Sequence, residues 1–477
     1  MFTVVQEQDL LCSKAGVTRF DGLKRGTYNF RLVCYYWAKV ASRTPELWRF
    51  WGNTLNDWEM RCHHARSLVD LLLDEDKIGQ ELSVELAGNL KDCANQDMIR
   101  RICLRSDSPD LLDSILTCIK PDGEGVQEKR IESLIINTTS IPRQLSKFFT
   151  RLYLPLLQHF EIIGTPETQL WHNVTSSLTG TNLTTLSLQT RESSFPLTTP
   201  QLLPILNANP NLQDLILVGV LPHEIEGIRI QRPCLSHLRK INFCGKFRSV
   251  FQLLELLEPP AQLDYIKLVM EDSTPRDINQ KLVPYMRKFF QSHDGFKEPL
   301  SVTTSTDHLV SITVETIRCL EGEGPVQPFA NFSLSGVDDL DLKPLAINLM
   351  KYVPQEHVEL LKMDHTSEIP EDFFNAMPRL NYLWLVDVDL LDGFMQSNSN
   401  EQPPGWEPLP SLQSLCLQDV LVENDDWQPL ITYLEHQWSG NQTLLLEVKS
   451  LSNIPQEVLS QVQDLVGNFE YNIVNRD

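Results

Sequence analysis

LTTLSLQT (183–190), NLQDLILVGV (211–220), HLRKINFCG (237–245) and QLDYIKLVM (262–270) share one frame, apolar-x-x-apolar-x-apolar. It is carried by Leu183, Leu186 and Leu188, by Leu212, Leu215 and Leu217, by Leu238, Ile241 and Phe243, and by Leu263, Ile266 and Leu268. Toward the amino terminus the frame recurs at Leu157, Phe160, Ile162, at Ile131, Leu134, Ile136 and at Ile99, Ile102, Leu104. Toward the carboxyl terminus weaker copies start at Leu309, Phe329 and Val358, and strong ones return at Leu380, Leu383, Leu385 and Leu412, Leu415, Leu417. From Ile131 to Leu263 successive copies start 26, 26, 29, 26 and 25 residues apart. A fixed period in this range marks stacked supersecondary units, each too small to bury its own apolar face.

The last two apolar residues of each frame are two apart, so they share one side of a strand while their neighbours face the other way. Between the strands lie helical segments. TTPQLLPILNANP (198–210) has Thr198 or Thr199 to cap its start and Asn209-Pro210 to end it. RSVFQLLELLEPP (248–260) spaces Phe251, Leu254 and Leu257 helically before Pro259. Strand, turn, helix and turn at this period predict an α/β leucine-rich-repeat solenoid over 99–470, a curved parallel sheet with outer helices. The alternative is an ordinary α/β sheet, for which a looser period and Gly-rich phosphate turns are expected. The repeat is irregular at 270–357, where DINQKLVPYMRKFFQSHD (277–294) reads as a longer helix. SVTTSTDHLVSITVE (301–315) and PFANFSLSGV (328–337) follow as two strands with poor matches.

The chain has 477 residues, more than one core usually organises, and its 42% hydrophobic content excludes intrinsic disorder. Its 63 acidic and 41 basic residues give a net charge of −22, a field that repels nucleic acid and anionic membrane surfaces. MFTVVQEQDLLCSKAGVTRF lacks a basic n-region followed by an apolar stretch, and no eighteen apolar residues run together. The 10 cysteines form no CxxC pair and suit reduced thiols of a cytoplasmic or nuclear protein. Sequons at Asn137, Asn173, Asn182, Asn331 and Asn441 matter only in a secreted chain and are read as chance.

Upstream of the repeats, NFRLVCYYWAKVASRTPELWRFW (29–51) has a different character. Leu32, Val33, Tyr36, Trp37 and Val40 follow helical spacing, Thr44-Pro45 stops the helix, and Leu47-Trp48 form an apolar pair. By pattern alone this is a cap sealing the open end of a solenoid. The run Leu32-Val33-Cys34, Trp37, Val40-Ala41, Thr44-Pro45 and Leu47-Trp48 also resembles the second half of an F-box, L-V-C-x-x-W-x-x-V/A followed by P-x-L-W. IRRICLRSDSPDLLDSILTCI, TTPQLLPILNANPNLQDLILVGV and LPSLQSLCLQDVLVENDDWQPLITYL extend the resemblance, over about 31–470, to fungal F-box proteins with degenerate leucine-rich repeats.

The resemblance implies a substrate-recognition subunit of an SCF-type cullin-RING ubiquitin ligase, with a partial F-box-like helical segment at 31–55. Leu32, Val33, Tyr36, Trp37 and Val40 would face or adjoin the Skp-type adaptor, and Leu47 and Trp48 would join the F-box to the repeats. Residues 56–98 would supply linking helices and the first strand. The atypical residues 1–30 contain neither the L-P-x-E helix nor the I-F segment that open a complete F-box. A repeat scaffold that binds protein without a ligase link therefore stands as the second expectation.

Catalytic motifs are absent: there is no GxGxxG, GxxxxGK[ST], HExxH or GxSxG, so neither an enzyme nor a cofactor is expected. Cys62, His63 and His64, in WEMRCHHARSLVDLLL, read as a solvated helix face, because adjacent helical residues diverge by about 100°. Asp74, Glu75 and Asp76 read as helix-end and loop charges, and Asp425-Asp426 as loop charges. The positions of interest project from the inner face beside each buried pair. They are Thr185, Ser187, Gln189, Asp214, Ile216, Val218, Lys240, Asn242, Tyr265, Lys267, Tyr382, Trp384, Ser414 and Gln418. Of these, Ile216, Val218, Asn242, Tyr265, Lys267, Tyr382 and Trp384 are the candidates for contact with an unidentified protein substrate. For the apolar ones, cover by flanking loops or the next helix is the alternative.

Overall fold

A computed structural model describes Phe50–Trp51, Val69–Asp74 and, between Ile99 and Ile473, the strands, the helices and many of their connections. Residues 1–49, 52–68 and 75–98 lie outside the described residues, as do most of 109–126 and all of 223–231, 318–328, 336–341, 387–410 and 421–426. The protein is α/β, with largely parallel sheet and interspersed helices, and divides into two compact units, Met1–Leu238 and Arg239–Asp477.

In the first unit seven described strands of the main sheet follow the chain, apart from a small pair formed by Gln127–Glu128 and Leu152–Tyr153: β1 (Phe50–Trp51), β2 (Val69–Asp74), β3 (Ile99–Arg105), β4 (Ser133–Ser140), β5 (His159–Thr165), β6 (Thr185–Gln189) and β7 (Asp214–Val218). Each pairs in parallel with the one before it. Register follows the frame: Leu134 pairs Phe160, Phe160 pairs Leu186 and Leu186 pairs Leu215. All four are fully buried, as are Ile136, Ile162, Leu188 and Leu217 in the next core row. The first apolar residue of each frame, just before its strand, is also buried at Ile131, Leu157, Leu183 and Leu212. One tight turn recurs there, with Leu157 N–H donating to Leu154 O and Leu212 N–H to Asn209 O.

Parallel strands require crossovers, and helices supply them on the buried side. These are α1 (Leu170–Leu178) and α2 (Thr199–Ala208). Thr198 caps α2, its N–H donating to Gln201 Oε1 at 2.8 Å, and Asn209 closes it, as the sequence predicts. Asn209 is buried and fully used. Its Nδ2 donates to Ile205 O (2.8 Å) and Leu178 O (3.2 Å), and its Oδ1 accepts from Leu183 N–H (2.8 Å) and stands 3.2 Å from Thr181 Oγ1. One side chain thus ties α2 to the end of α1 and to the entry of β6.

The second unit holds β8 (Lys240–Lys246), α3 (Phe247–Leu257), β9 (Tyr265–Glu271), α4 (Val283–Ser292), β10 (Leu300–Ser305), β11 (Val310–Thr316), β12 (Phe329–Ser335), α5 (Leu342–Met350), β13 (Val358–Asp364), β14 (Tyr382–Val386), β15 (Ser414–Val420), α6 (Gln428–Trp438), β16 (Leu445–Ser450), α7 (Gln456–Leu465) and β17 (Asn468–Ile473). The helix expected at 277–294 runs from Pro275–Asp277 through a π turn at Ile278–Leu282 into α4. The wide turn directly precedes Pro284, which has no N–H for the residue four back.

Chain order fails at the irregular stretch. The strand order is β8-β9-β12-β11-β10-β13, then on through β17, and β11 alone in this unit runs against its neighbours. The single strand expected at 301–315 is therefore a hairpin, β10 and β11. The cause is the connection: residues 306–309 are too few for a parallel crossover, which needs roughly a dozen. β12 then turns back, takes the place beside β9, and leaves β10 to pair with β13.

Val69–Asp74 is a strand that pairs with β3, and Asp74, read from sequence as a helix-end or loop charge, is its last residue. Among the described residues no helix is long and apolar enough to cross a membrane.

Candidate functional site

The face opposite the core is set by alternation along each strand. In β7 the order of exposure is intermediate, buried, intermediate, buried, intermediate, which leaves Asp214, Ile216 and Val218 on the inner face. Thr185, Gln189, Lys240, Asn242, Tyr265, Lys267, Trp384, Ser414 and Gln418 are likewise half-buried, and Tyr382 is 48% exposed. Ser187 departs from the expectation. It is fully buried between β5 and β7, and its Oγ accepts from Gln189 Nε2 at 2.9 Å. Ile216 and Val218 belong to the first unit and the remaining substrate candidates to the second.

Within the second unit the candidates form two patches. Tyr265 and Tyr382 occupy the same row, but five strand spacings separate β9 from β14 by way of β12, β11, β10 and β13. At about 4.8 Å per strand that is roughly 24 Å along the sheet.

Both patches use one device, a lysine whose register partner on the next strand is an aromatic residue. Lys240 pairs Tyr265, with Nζ 4.6 Å from the ring centroid. Lys362 pairs Trp384, with Nζ at 4.2 Å. Cross-strand partners sit about 5 Å apart, so the lysine stem lies along the ring and its ammonium rests against the π face. Tyr265 also stacks on Phe329 with centroids 4.6 Å apart, and burial pushes its phenol pKa up.

The Trp384 patch is the more elaborate. Lys449, on β16, brings a second ammonium to 4.8 Å from the indole centroid. Trp384 Nε1 donates to Gln418 Oε1 at 3.2 Å, and Gln418 Nε2 donates to Asp419 Oδ2 at 3.2 Å, which fixes the amide. Lys449 Nζ lies 3.1 Å from Glu447 Oε1. Burial alone would lower the Lys449 pKa, but the Glu447 hydrogen bond and nearby negative charge outweigh it and hold the pKa raised. Cys416 stands beside them, its thiol pushed up to about 11 first by burial and further by Glu447. Lys449 is therefore neutralised locally, whereas Lys362 has no carboxylate partner among the described residues.

The chain matches no protein-family model and no curated protein.

The F-box-like residues Leu32, Val33, Tyr36, Trp37, Val40, Leu47 and Trp48 lie outside the described residues, as do Cys62, His63 and His64. Among the described residues no group of three or more His, Cys, Asp or Glu is placed to hold a metal ion. Sequence reasoning placed Trp384 on the inner face but missed Lys362, Lys449 and Glu447 around it. The frame starting at Val358 does locate Lys362, between Leu361 and Met363. Thr443, at the first apolar position of the LLLEVKS repeat, hid Glu447 and Lys449.

Proposed function

We propose that the chain is a leucine-rich-repeat solenoid of the F-box type that serves as a substrate-recognition subunit of an SCF-type cullin-RING ubiquitin ligase. It contributes no catalytic residue. It holds a target protein on its inner face, so that a target lysine reaches the charged partner enzyme by proximity.

The observation that supports this most is the succession of parallel strands in register with the 25–29-residue frame, one face largely apolar and the other carrying two lysine–aromatic pairs in the second unit. Aromatic and cationic side chains fixed by their neighbours lose little entropy when a partner binds. Lys362 offers a carboxylate of the target an ammonium with no carboxylate partner among the described residues, and the exposed ring of Tyr382 offers apolar contact one row away.

The test is a pull-down of the full chain with the Skp adaptor, beside a Trp37→Ala, Trp48→Ala variant matched for thermal midpoint. Binding lost only in the variant is the expected result. Absence of binding by the intact chain overturns the ligase link. It would favour the second reading, a protein-binding scaffold without a ligase link.

A further inference from the structure

The second unit carries a cleft of about 400 Å³ on the helix side of its sheet, away from the lysine–aromatic face. Its placement follows from Phe290, on α4, which lines the cleft and contacts the core residue Phe332 with ring centroids 6.1 Å apart. The floor is apolar: Phe290 and Phe296 meet edge to face at 5.0 Å, and Val353 closes it beside them. The rim carries two cations, Arg287 and Lys351, with the imidazole of His357 beside them, against one lining acid, the largely exposed Glu356.

Three features set this rim apart in a chain with 63 acidic and 41 basic residues. Arg287 lies over the Tyr352 ring, Cζ 5.3 Å from its centroid, so the ring face helps to hold a guanidinium whose fork suits a planar acceptor. Neither Arg287 nor Lys351 meets a carboxylate among the described residues; Lys351 Nζ has only a 3.3 Å contact with Asn348 Oδ1. His357 Nδ1 is buried with no hydrogen-bond partner, while its Nε2 stands 3.9 Å from Glu356. Cations that meet no carboxylate among the described residues, set around an aromatic floor, are the complement of an oxyanion carried on a flat ring, and 400 Å³ lies within the ordinary range of small-ligand sites.

We propose that this cleft is a binding site for a small ring-bearing oxyanion, a phosphate or carboxylate whose ring enters against Phe290 and Phe296 while Arg287 and Lys351 hold the charge. The site is independent of the inner face and of the ligase reading.

The test is a ligand-observed NMR titration of the full chain with phenyl phosphate, benzoate and inorganic phosphate. Phenyl phosphate or benzoate binds more tightly than inorganic phosphate, and the tighter of the two identifies the anion. Arg287→Gln and Lys351→Gln, both at the rim, each weaken that binding roughly tenfold, the loss of one charge-assisted contact, with thermal midpoints kept. The proposal is overturned if neither ring acid binds, if inorganic phosphate binds as tightly, or if both variants bind as the parent does.

Discussion

Replacing Asn209 with alanine removes the amide that joins α2, α1 and the entry to β6. Thr181 has one hydroxyl proton and sits 2.7 Å from Leu178 O as well as 3.2 Å from Asn209 Oδ1, so its bond to Asn209 is shared. Three bonds remain firm: those to Ile205 O, Leu178 O and Leu183 N–H. At 1% exposure, water does not replace them without rearrangement. Three lost bonds, with Ile205 O and Leu183 N–H deprived of the amide and Leu178 O left with the Thr181 hydroxyl alone, cost about 3 to 5 kcal/mol. For a unit the size of Met1–Leu238 this lowers the thermal midpoint by roughly 6 to 20 °C. Asn209→Asp separates the donors from the acceptor. It keeps an acceptor for Leu183 N–H but turns a buried carboxylate on two carbonyl oxygens, which raises the pKa of the introduced carboxyl in the folded state. A folded pKa above the unfolded one means that the folded state binds the proton more readily, so the deficit of this variant shrinks as pH falls from 8 to 5. The deficit of Asn209→Ala stays level over the same range. Urea denaturation at several pH values, with hydrogen exchange at the Leu183 amide, measures both. A cost under about 1 kcal/mol for Asn209→Ala, or a level Asn209→Asp profile, would refute the reasoning.

Gly219 has φ +68, and a Cβ there would stand 2.7 Å from Thr190 Oγ1 and 3.0 Å from Thr190 O, so Gly219→Ala should cost about 2 to 3 kcal/mol by urea denaturation. The Cys416 thiol, raised to about 11, should alkylate slowly at pH 8 and keep accelerating up to about pH 11; a plateau near pH 9 would contradict its burial beside Glu447. Its raised pKa also means that it contributes stability below pH 9 that is lost as pH climbs toward 11. Lys362→Gln should weaken capture of a Glu-rich, Tyr-containing peptide by roughly tenfold in fluorescence anisotropy, and Lys449→Gln by much less, because Glu447 already neutralises Lys449. Equal effects would remove Lys362 from the contact.

Where local pattern and tertiary demand coincide, the sequence is legible. The frame from Ile131 to Leu268 marks buried positions because each is three or two residues from the next and faces the core of its own unit. Thr198 and Asn209 bound α2 because the cap and the closing amide are local chemistry. The strand at Val69–Asp74 is legible in the same way, since Leu68, Leu71 and Leu73 repeat the frame. The β10–β11 hairpin was not, because SVTT and SITVE alternate as one strand would and only the short connection betrays the reversal. The Lys362–Trp384 contact depends on register between strands about 20 residues apart in sequence, information the frame holds only once the copies are aligned with one another.

The reversal at β10–β12 shapes the inner face as well as the core. The strands it inserts carry Ser301, Thr303, Ser305, Ser311, Thr313, Asn331 and Ser333 at inner-face positions. Three of them bond to one another: Asn331 Nδ2 donates to Thr313 Oγ1 at 2.7 Å and Ser333 Oγ donates to Asn331 Oδ1 at 2.7 Å. Apart from Glu315, exposed in the same belt, these small polar side chains give a partner little to anchor on, while the lysine–aromatic pairs stand on either side of them. A target that engages both Tyr265 and Trp384 must then bridge roughly 24 Å across this belt, the reach of about seven extended residues. A shorter segment engages one patch alone. The choice between them falls to charge: at the Trp384 patch Glu447 sets the balance, so a carboxylate is welcome at Lys362 and gains little at Lys449.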